Sequence, residues 1–318
     1  MEDTTKKLAD HPIIFFGTED FSVISLERLV KDGYNIAAVV TKPDMKKGRG
    51  HHLIEPIIKT VAKAYQIPVW QPERLKDIIG PIKQLQPVTG VLVSYGRIIP
   101  AEIIDLFHPG IINVHPSLLP KYRGPSPIES VILNGDEQTG VTIMQLSAAM
   151  DAGPIYTQKT FTFDETLAPE SKERISFRLG HIGAGMLSEA LPAIISGDLQ
   201  PISQNDNEAT YCQLITKDDG VLDWHKPANR LEREVRAYNG WPGSKAMLGP
   251  VTITVTDAGS NTEVYEPGTV HLTSDLLKIG TSKGTLLIYR LKPVGKKEMT
   301  AREFINGYGH LFPKEAWA

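Results

Sequence analysis

Short apolar runs at residues 13–16, 36–40, 69–70, 88–93 and 111–114 recur along the first third of the chain, with segments of helical character between them. Residues 21–30 carry a helical pattern that Gly33 breaks, and Pro56 suits the first turn of a helix reaching about Tyr65. Strands that alternate with helices in this way predict a mostly parallel, Rossmann-like α/β sheet with helices on both faces. Apolar runs at 141–146 and 155–163 follow, and a long helix is expected over about 169–195. Residues 197–208 then turn polar, with Pro201, Asn205, Asp206 and Asn207, which is the composition of a linker. Beyond them one helical segment, about 227–238, precedes short β-like runs at 251–255, 268–272, 276–279 and 286–291. Short strands at close spacing predict a small barrel, although a sandwich would read the same way. The expected division is therefore an α/β domain over 1–196, a linker over 197–208 and a β-rich domain over 209–318.

Several classes of function are disfavoured by composition. Cys212 stands alone, so the chain forms no internal disulfide and no cysteine-rich zinc site, and a small buried residue is its expected role. His51 and His52 diverge as neighbours in an extended loop and have no obvious third ligand, so no metal is expected. The first strand runs into Gly17-Thr18-Glu19-Asp20 rather than a dinucleotide-binding glycine pattern. Gly180, Gly183 and Gly185 sit in a helical stretch and are read as close-packing positions. No stretch approaches the roughly 20 apolar residues of a membrane span. The polar first eleven residues lack an apolar signal segment, so a soluble cytoplasmic protein is expected. The net charge of −3 does not itself suggest nucleic acid, but an average can hide a basic patch.

The candidate chemistry lies where the fifth apolar run ends. Asn113 and His115, two apart in a strand, project from the same face near its carboxyl end, where open α/β sheets place their ligand crevices. Asn offers a neutral donor to a developing oxyanion, and histidine exchanges a proton near neutral pH. Asp151, in Ala149-Met150-Asp151-Ala152-Gly153, could orient the imidazole. On spacing alone, the same residues also read as a polar strand end with a rigid loop, Asp151 opening a turn.

A second candidate is the segment 42–52, which brings Lys42, Lys46, Lys47 and Arg49 against the single acid Asp44, with Gly48 and Gly50 loosening the backbone. Arg49 suits a phosphate or a guanine, yet an isolated patch of this kind equally reads as a solvated loop. Arg290, Lys292, Lys296, Lys297 and Arg302 give the C-terminal region another basic segment, suited to nucleic-acid phosphates or to plain solvent. Trp224 and Trp241 are expected in the core.

NVHPSLLPKYRGPSPI, followed by TGVTIMQLSAAMDAGPI, resembles the signature of the folate-dependent formyltransferases. The resemblance extends through FFGTEDF, TKPDMKKGRGHHL, SYGRIIP, LDWHKPANRLEREVRAYNGWPGSKA and PVGKKEM, and so covers nearly the whole chain. It implies Asn113, His115 and Asp151 as the catalytic set. It further implies that 10-formyltetrahydrofolate is held by Ser117, Leu118, Leu119 and Pro120, with Tyr95, Gly96 and Ile98 on the pterin side. The acceptor it implies is the α-amine of initiator methionyl-tRNA. Lys42, Lys46, Lys47 and Arg49 would meet the acceptor end, while Lys296 and Lys297 belong to an OB-like tRNA-binding domain. No metal is called for, and a monomer is expected. Pro116 stands where the family usually has Gly, and SAAMDAGPI varies the usual surroundings of the Asp. Rival readings are a relative acting on glycinamide ribonucleotide or an amino-sugar nucleotide, and a silent RNA-binding protein on the same fold.

Overall fold

The computed structural model describes residues 10–47, 52–164 and 169–317. Their elements begin with β1 (Ile13–Gly17), α1 (Asp20–Lys31), β2 (Ile36–Val40), β3 (Met45–Lys47), β4 (His52–Ile54), α2 (Ile57–Ala64) and β5 (Val69–Trp70). There follow α3 (Ile79–Gln84), β6 (Thr89–Val93), α4 (Ala101–Ile104), β7 (Ile111–His115), α5 (Pro127–Asn134), β8 (Gln138–Gln145), β9 (Ile155–Thr162) and α6 (Lys172–Ser196). The remainder forms α7 (Ala228–Ala237), β10 (Ser244–Leu248), β11 (Val251–Asn261), β12 (Val270–Leu272), β13 (Leu277–Gly280), β14 (Thr285–Pro293), β15 (Met299–Thr300) and α8 (Ala301–Tyr308). The chain forms two compact units. The first runs through Pro127, then takes Gln138–Phe163 and Ser176–Cys212; the second takes Ile128–Glu137, Asp164–Ile175 and everything from Gln213.

The first unit is a seven-stranded sheet in the order β5-β2-β1-β6-β7-β8-β9. Pairing is parallel from β5 to β7 and antiparallel from β7 to β9, which is the expected mostly parallel α/β sheet. Strand order reverses between β2 and β6, on either side of β1, which is the topological position where such sheets open a crevice. On one face Ile14, Phe16, Val40, Tyr95 and Ile111 form a buried cluster with Ile82 of α3 and Ile103 of α4. On the other, α6 comes close enough to β7 that a Cβ on Gly183 would lie 2.7 Å from Val114, and one on Gly180 would lie 2.7 Å from Ile24 of α1. Gly185 has open space around it, so it is not a close-packing position. Residues 197–208, read as a linker by composition, lie within the first unit: Ile202 and Ile155 exchange both backbone hydrogen bonds at 2.8 Å.

The second unit is an antiparallel six-stranded sheet, β10-β11-β14-β13-β12 with β15 on β14. Its end strands β10 and β12 each pair with a single strand and meet only isolated bridges, to Val221 and Trp317, on the other side, so it is a half-barrel of OB-like type rather than a closed ring. Leu231 and Val235 of α7, Ile253, Leu277, Ile279, Leu286 and Ile288 of the strands, and Phe304 of α8 share one core. Trp224 packs against that core, but Trp241 is 56% exposed and is not the core aromatic its type suggests. Phe304 is fully buried and stacks on Tyr308 at 4.9 Å between ring centroids. Phe304→Ala would leave a ring-sized void, and is expected to cost about 3–5 kcal/mol of this unit's stability by denaturant unfolding. Among the described residues no helix is long and apolar enough to cross a membrane.

Candidate active site

Asn113 and His115 lie on β7, each 5% exposed, on the face that Ile111 shares with the buried cluster. Residues 146–154, which join β8 to β9, return Asp151 to them: His115 Nδ1 is 3.8 Å from Asp151 Oδ2. That separation is long for a direct hydrogen bond. The imidazole is instead fixed at its other nitrogen, 2.9 Å from the Tyr122 carbonyl oxygen. A carbonyl only accepts, so Nε2 carries the proton and donates, and Nδ1 is the edge turned to Asp151. A singly protonated ring presents a lone pair to the carboxylate there; a doubly protonated one has an acceptor at each nitrogen. Asp151 Oδ2 in turn accepts from the Gly124 backbone N–H at 2.8 Å. Among the described residues none hydrogen-bonds the Asn113 carboxamide, which leaves its N–H donors to a ligand.

The backbone around these groups is held in unusual conformations. Ser94, Tyr122 and Asp151 are non-glycine residues at φ 46°, 60° and 47°. Left-handed backbone of this kind costs on the order of 1–3 kcal/mol per residue and persists only where its surroundings enforce it. The surroundings are visible for Asp151. Gln204 Nε2 donates to the Asp151 carbonyl at 2.8 Å and the Gly153 carbonyl at 2.7 Å. Gln204 Oε1 accepts from Arg123 Nε and Nη2 at 3.1 and 2.9 Å. Burial works against the Arg123 charge, but Asp206 and Tyr211 outweigh it and hold the guanidinium above its ordinary pKa. Tyr122, Arg123 and Gln204 carry no signal in the sequence beyond lying in a motif or in a polar stretch.

The loop 117–120 is bound into the sheet. Ser117 Oγ donates to the Lys121 carbonyl at 2.6 Å, and Thr142 Oγ1 donates to the Ser117 carbonyl at 2.7 Å. Gln158 Nε2 donates to the Leu119 carbonyl at 2.7 Å, and Leu118 covers Gly140. These side chains are largely engaged with the protein itself, with Leu118 and Pro120 half-buried and Leu119 buried. Tyr95 is 1% exposed and packs edge-on against Phe16, so its ring belongs to the core, and burial pushes its phenol above the ordinary pKa. Its carbonyl accepts from Thr18 Oγ1 at 2.9 Å, while Gly96 and Ile98 are exposed beside it.

The basic segment is not a featureless loop, because β3 and β4 pair as a short antiparallel hairpin. Gln71 Nε2 donates to the Lys42 carbonyl and to Asp44, and Asp44 also binds Lys59 Nζ at 2.7 Å, which anchors the hairpin's base. A Cβ on Gly96 would lie 2.4 Å from Lys42 Nζ, so the foot of the hairpin and the 95–98 loop touch. Arg49 lies outside the described residues, as do the side chains of Lys46 and Lys47. Lys296 and Lys297 are exposed in the turn between β14 and β15, within the second unit. Among the described residues no group of His, Cys, Asp and Glu could hold a metal ion.

This geometry coincides with the family evidence. The family model described as formyl transferase matches residues 12–191, and the one described as formyl transferase, C-terminal domain, matches 214–309. The methionyl-tRNA formyltransferase of Roseiflexus castenholzii is 38% identical over 302 residues, covering 93% of this chain and 95% of that protein. That of Halorhodospira halophila is 40% identical over 299 residues, covering 93% and 96%. Among solved structures, the Helicobacter canadensis N-formyltransferase, in complex with folinic acid and dTDP-3-aminofucose, superposes with a TM-score of 0.66 at 17% identity, over 90% of this chain and 99% of that one. HypX from Aquifex aeolicus, in complex with tetrahydrofolic acid, gives 0.62 at 18% identity over 96% of this chain, which spans about half of HypX. At such identities these two speak for the fold alone. The full-length relatives and the two family matches show that the chain belongs to the formyltransferase family, in its methionyl-tRNA branch.

Proposed function

We propose that the chain moves the formyl group of 10-formyltetrahydrofolate onto the α-amine of initiator methionyl-tRNA, with Asn113, His115 and Asp151 as the catalytic set. The observation that carries this reading is the convergence of a buried carboxamide, without a hydrogen-bond partner among the described residues, with an imidazole whose Nδ1 edge faces a carboxylate at 3.8 Å. The neutral amine attacks the formyl carbon, a C–N bond forms, and the carbonyl π pair moves onto oxygen. Asn113 donates an N–H to that oxygen; one such donor is typically worth on the order of 10²–10³ in rate. The new ammonium lies between Nδ1 and Oδ2, where Asp151 takes its proton. Collapse of the centre breaks the bond to the folate nitrogen, and the proton passes to that nitrogen through His115 or a water. The formyl group arrives already activated on a good leaving nitrogen, so this proton traffic is sufficient.

The folate is read as lying along Ser117–Pro120 and the exposed Gly96 and Ile98, with the Tyr95 backbone behind them. The tRNA is read as meeting Lys42, Lys46, Lys47 and Arg49 with its acceptor end, and Lys296 and Lys297 with its backbone. The protein is read as a monomer, since one chain carries both the candidate site and the second domain, and as cytoplasmic, since charged tRNA is the proposed substrate. The test is a formylation assay with initiator methionyl-tRNA, glycinamide ribonucleotide and an amino-sugar nucleotide side by side. Formylation of the tRNA alone is expected, and a preference for either nucleotide would overturn the reading. The tRNA contacts are tested by affinity against salt. Lys296→Ala and Lys297→Ala are each expected to flatten the slope of log K against log salt by about 0.7–0.9. Unchanged slopes would return both lysines to the solvated surface.

A further inference from the structure

Tyr122, Arg123 and Gly124 connect to both His115 and Asp151. The Tyr122 carbonyl holds His115, the Gly124 N–H holds the Asp151 carboxylate, and the Arg123 side chain reaches the Asp151 main chain through Gln204. The partners come from a distant stretch of chain. Arg123 N donates to the Thr210 carbonyl and Cys212 N to the Arg123 carbonyl, both at 2.9 Å, and Tyr122 N donates to Thr210 Oγ1 at 2.8 Å. The Arg123 guanidinium is 3% exposed, which is rare for a charge without a buried counter-charge. The acid that meets it, Asp206, at 2.6 Å, is itself 83% exposed, so screening by water weakens that pair. A neutral carboxamide beneath the guanidinium therefore needs another reason. Arginine only donates and the two carbonyls only accept, so the amide has one orientation: Oε1 to Arg123, Nε2 to Asp151 and Gly153.

We propose that Gln204, oriented by Arg123, is a positioning residue for the formyl transfer, setting the left-handed backbone from which Asp151 faces His115. The proposal rests on the reading of Asp151 as part of the catalytic set. It gives residues 197–212 a role at the site: they tie the 146–154 connection to the 122–124 turn. A glutamine at this position is needed because two carbonyls must be met by donors while a guanidinium is met by an acceptor. No other side chain of this length does both.

Gln204→Glu is the first variant, because it keeps the acceptor for Arg123 and the volume while removing both donors to the loop. Turnover is expected to fall on the order of 10-fold or more, with KM for tRNA and folate changed little. Gln204→Ala is the second variant, and thermal unfolding of both shows whether the fold is kept; if one fails to fold, the other carries the test. The decisive comparison is each change made again in an Asp151→Asn background. A group acting through Asp151 adds little to a loss already incurred, so the combined effect should fall well short of the product of the single effects. Multiplicative losses, or a folded Gln204→Glu with wild-type turnover, would overturn the positioning role. Should Asp151→Asn by itself keep full turnover, the reading of the catalytic set fails instead, and the proposal goes with it.

Discussion

Asn113→Ala and His115→Ala are each expected to lower kcat on the order of 10²-fold or more while leaving the fold and the binding of both substrates intact. The Asn113 carboxamide makes no hydrogen bond to the described protein, so its removal strands no partner and costs only packing. His115 is different, because Ala leaves the Tyr122 carbonyl without its donor. His115→Gln is the useful companion, since it can offer an N–H to that carbonyl yet cannot carry a proton between amine and leaving nitrogen. It should lose turnover nearly as far as Ala. Steady-state kinetics with both substrates, beside thermal unfolding, separate the chemical loss from a structural one.

Gly124→Ala is the second large effect, and it strikes stability and turnover together. Gly124 sits at φ 121°, where side chains are strained, and a Cβ there would lie 2.6 Å from the Cys212 carbonyl oxygen. Neither backbone can yield without breaking the pairing of Arg123 with Tyr211. Strain and overpacking are each worth about 1–3 kcal/mol. The shift also moves the N–H that holds Asp151 Oδ2, so kcat should drop at least about 10-fold. Gly185→Ala is the control: it lies inside α6 with open space for a Cβ, and should stabilise by about 0.5–1 kcal/mol with unchanged turnover. Denaturant unfolding and kcat on the pair check both halves.

The placing of Asn113 and His115 together on β7 was legible because its signal is local. Strand alternation puts Asn113 and His115 on one face, and a motif recurs around them. What orients them was not legible. His115 is held by the Tyr122 main-chain carbonyl, and a carbonyl has no side-chain signature. Gln204 lay in a stretch whose Pro, Asn and Asp content reads as linker, because composition does not show that a polar side chain finds its partners at residues 123, 151 and 153. Tyr95 was named on the pterin side through the resemblance, and only the fold shows that its ring turns into the cluster around Phe16. In the second unit β11 extends to Asn261, past the clean alternation of 251–255, because bulges around Asp257 break the period of two. The start of α8 could have been read: Thr300 and Glu303 form a capping box, with Thr300 Oγ1 accepting from Glu303 N at 3.3 Å. The mixture of lysines at 42–47 with exposed Met45, Leu53 and Ile54 explains why a hairpin there was hidden under charge.

In the proposed catalytic set Asp151 works as a carboxylate at the His115 edge, and Asp151→Asn removes its charge and basicity together. Asparagine is among the residues that adopt left-handed backbone most readily, so the φ of 47° is kept and the Gly124 N–H still has an oxygen to meet. The measurement is single-turnover formyl transfer to initiator methionyl-tRNA with enzyme in excess and 10-formyltetrahydrofolate saturating. A rate lowered on the order of 10²-fold, with both substrates bound as tightly as by the parent protein, is the result this geometry predicts. A rate within about twofold of the parent's would contradict it, and would remove Asp151 from the chemistry.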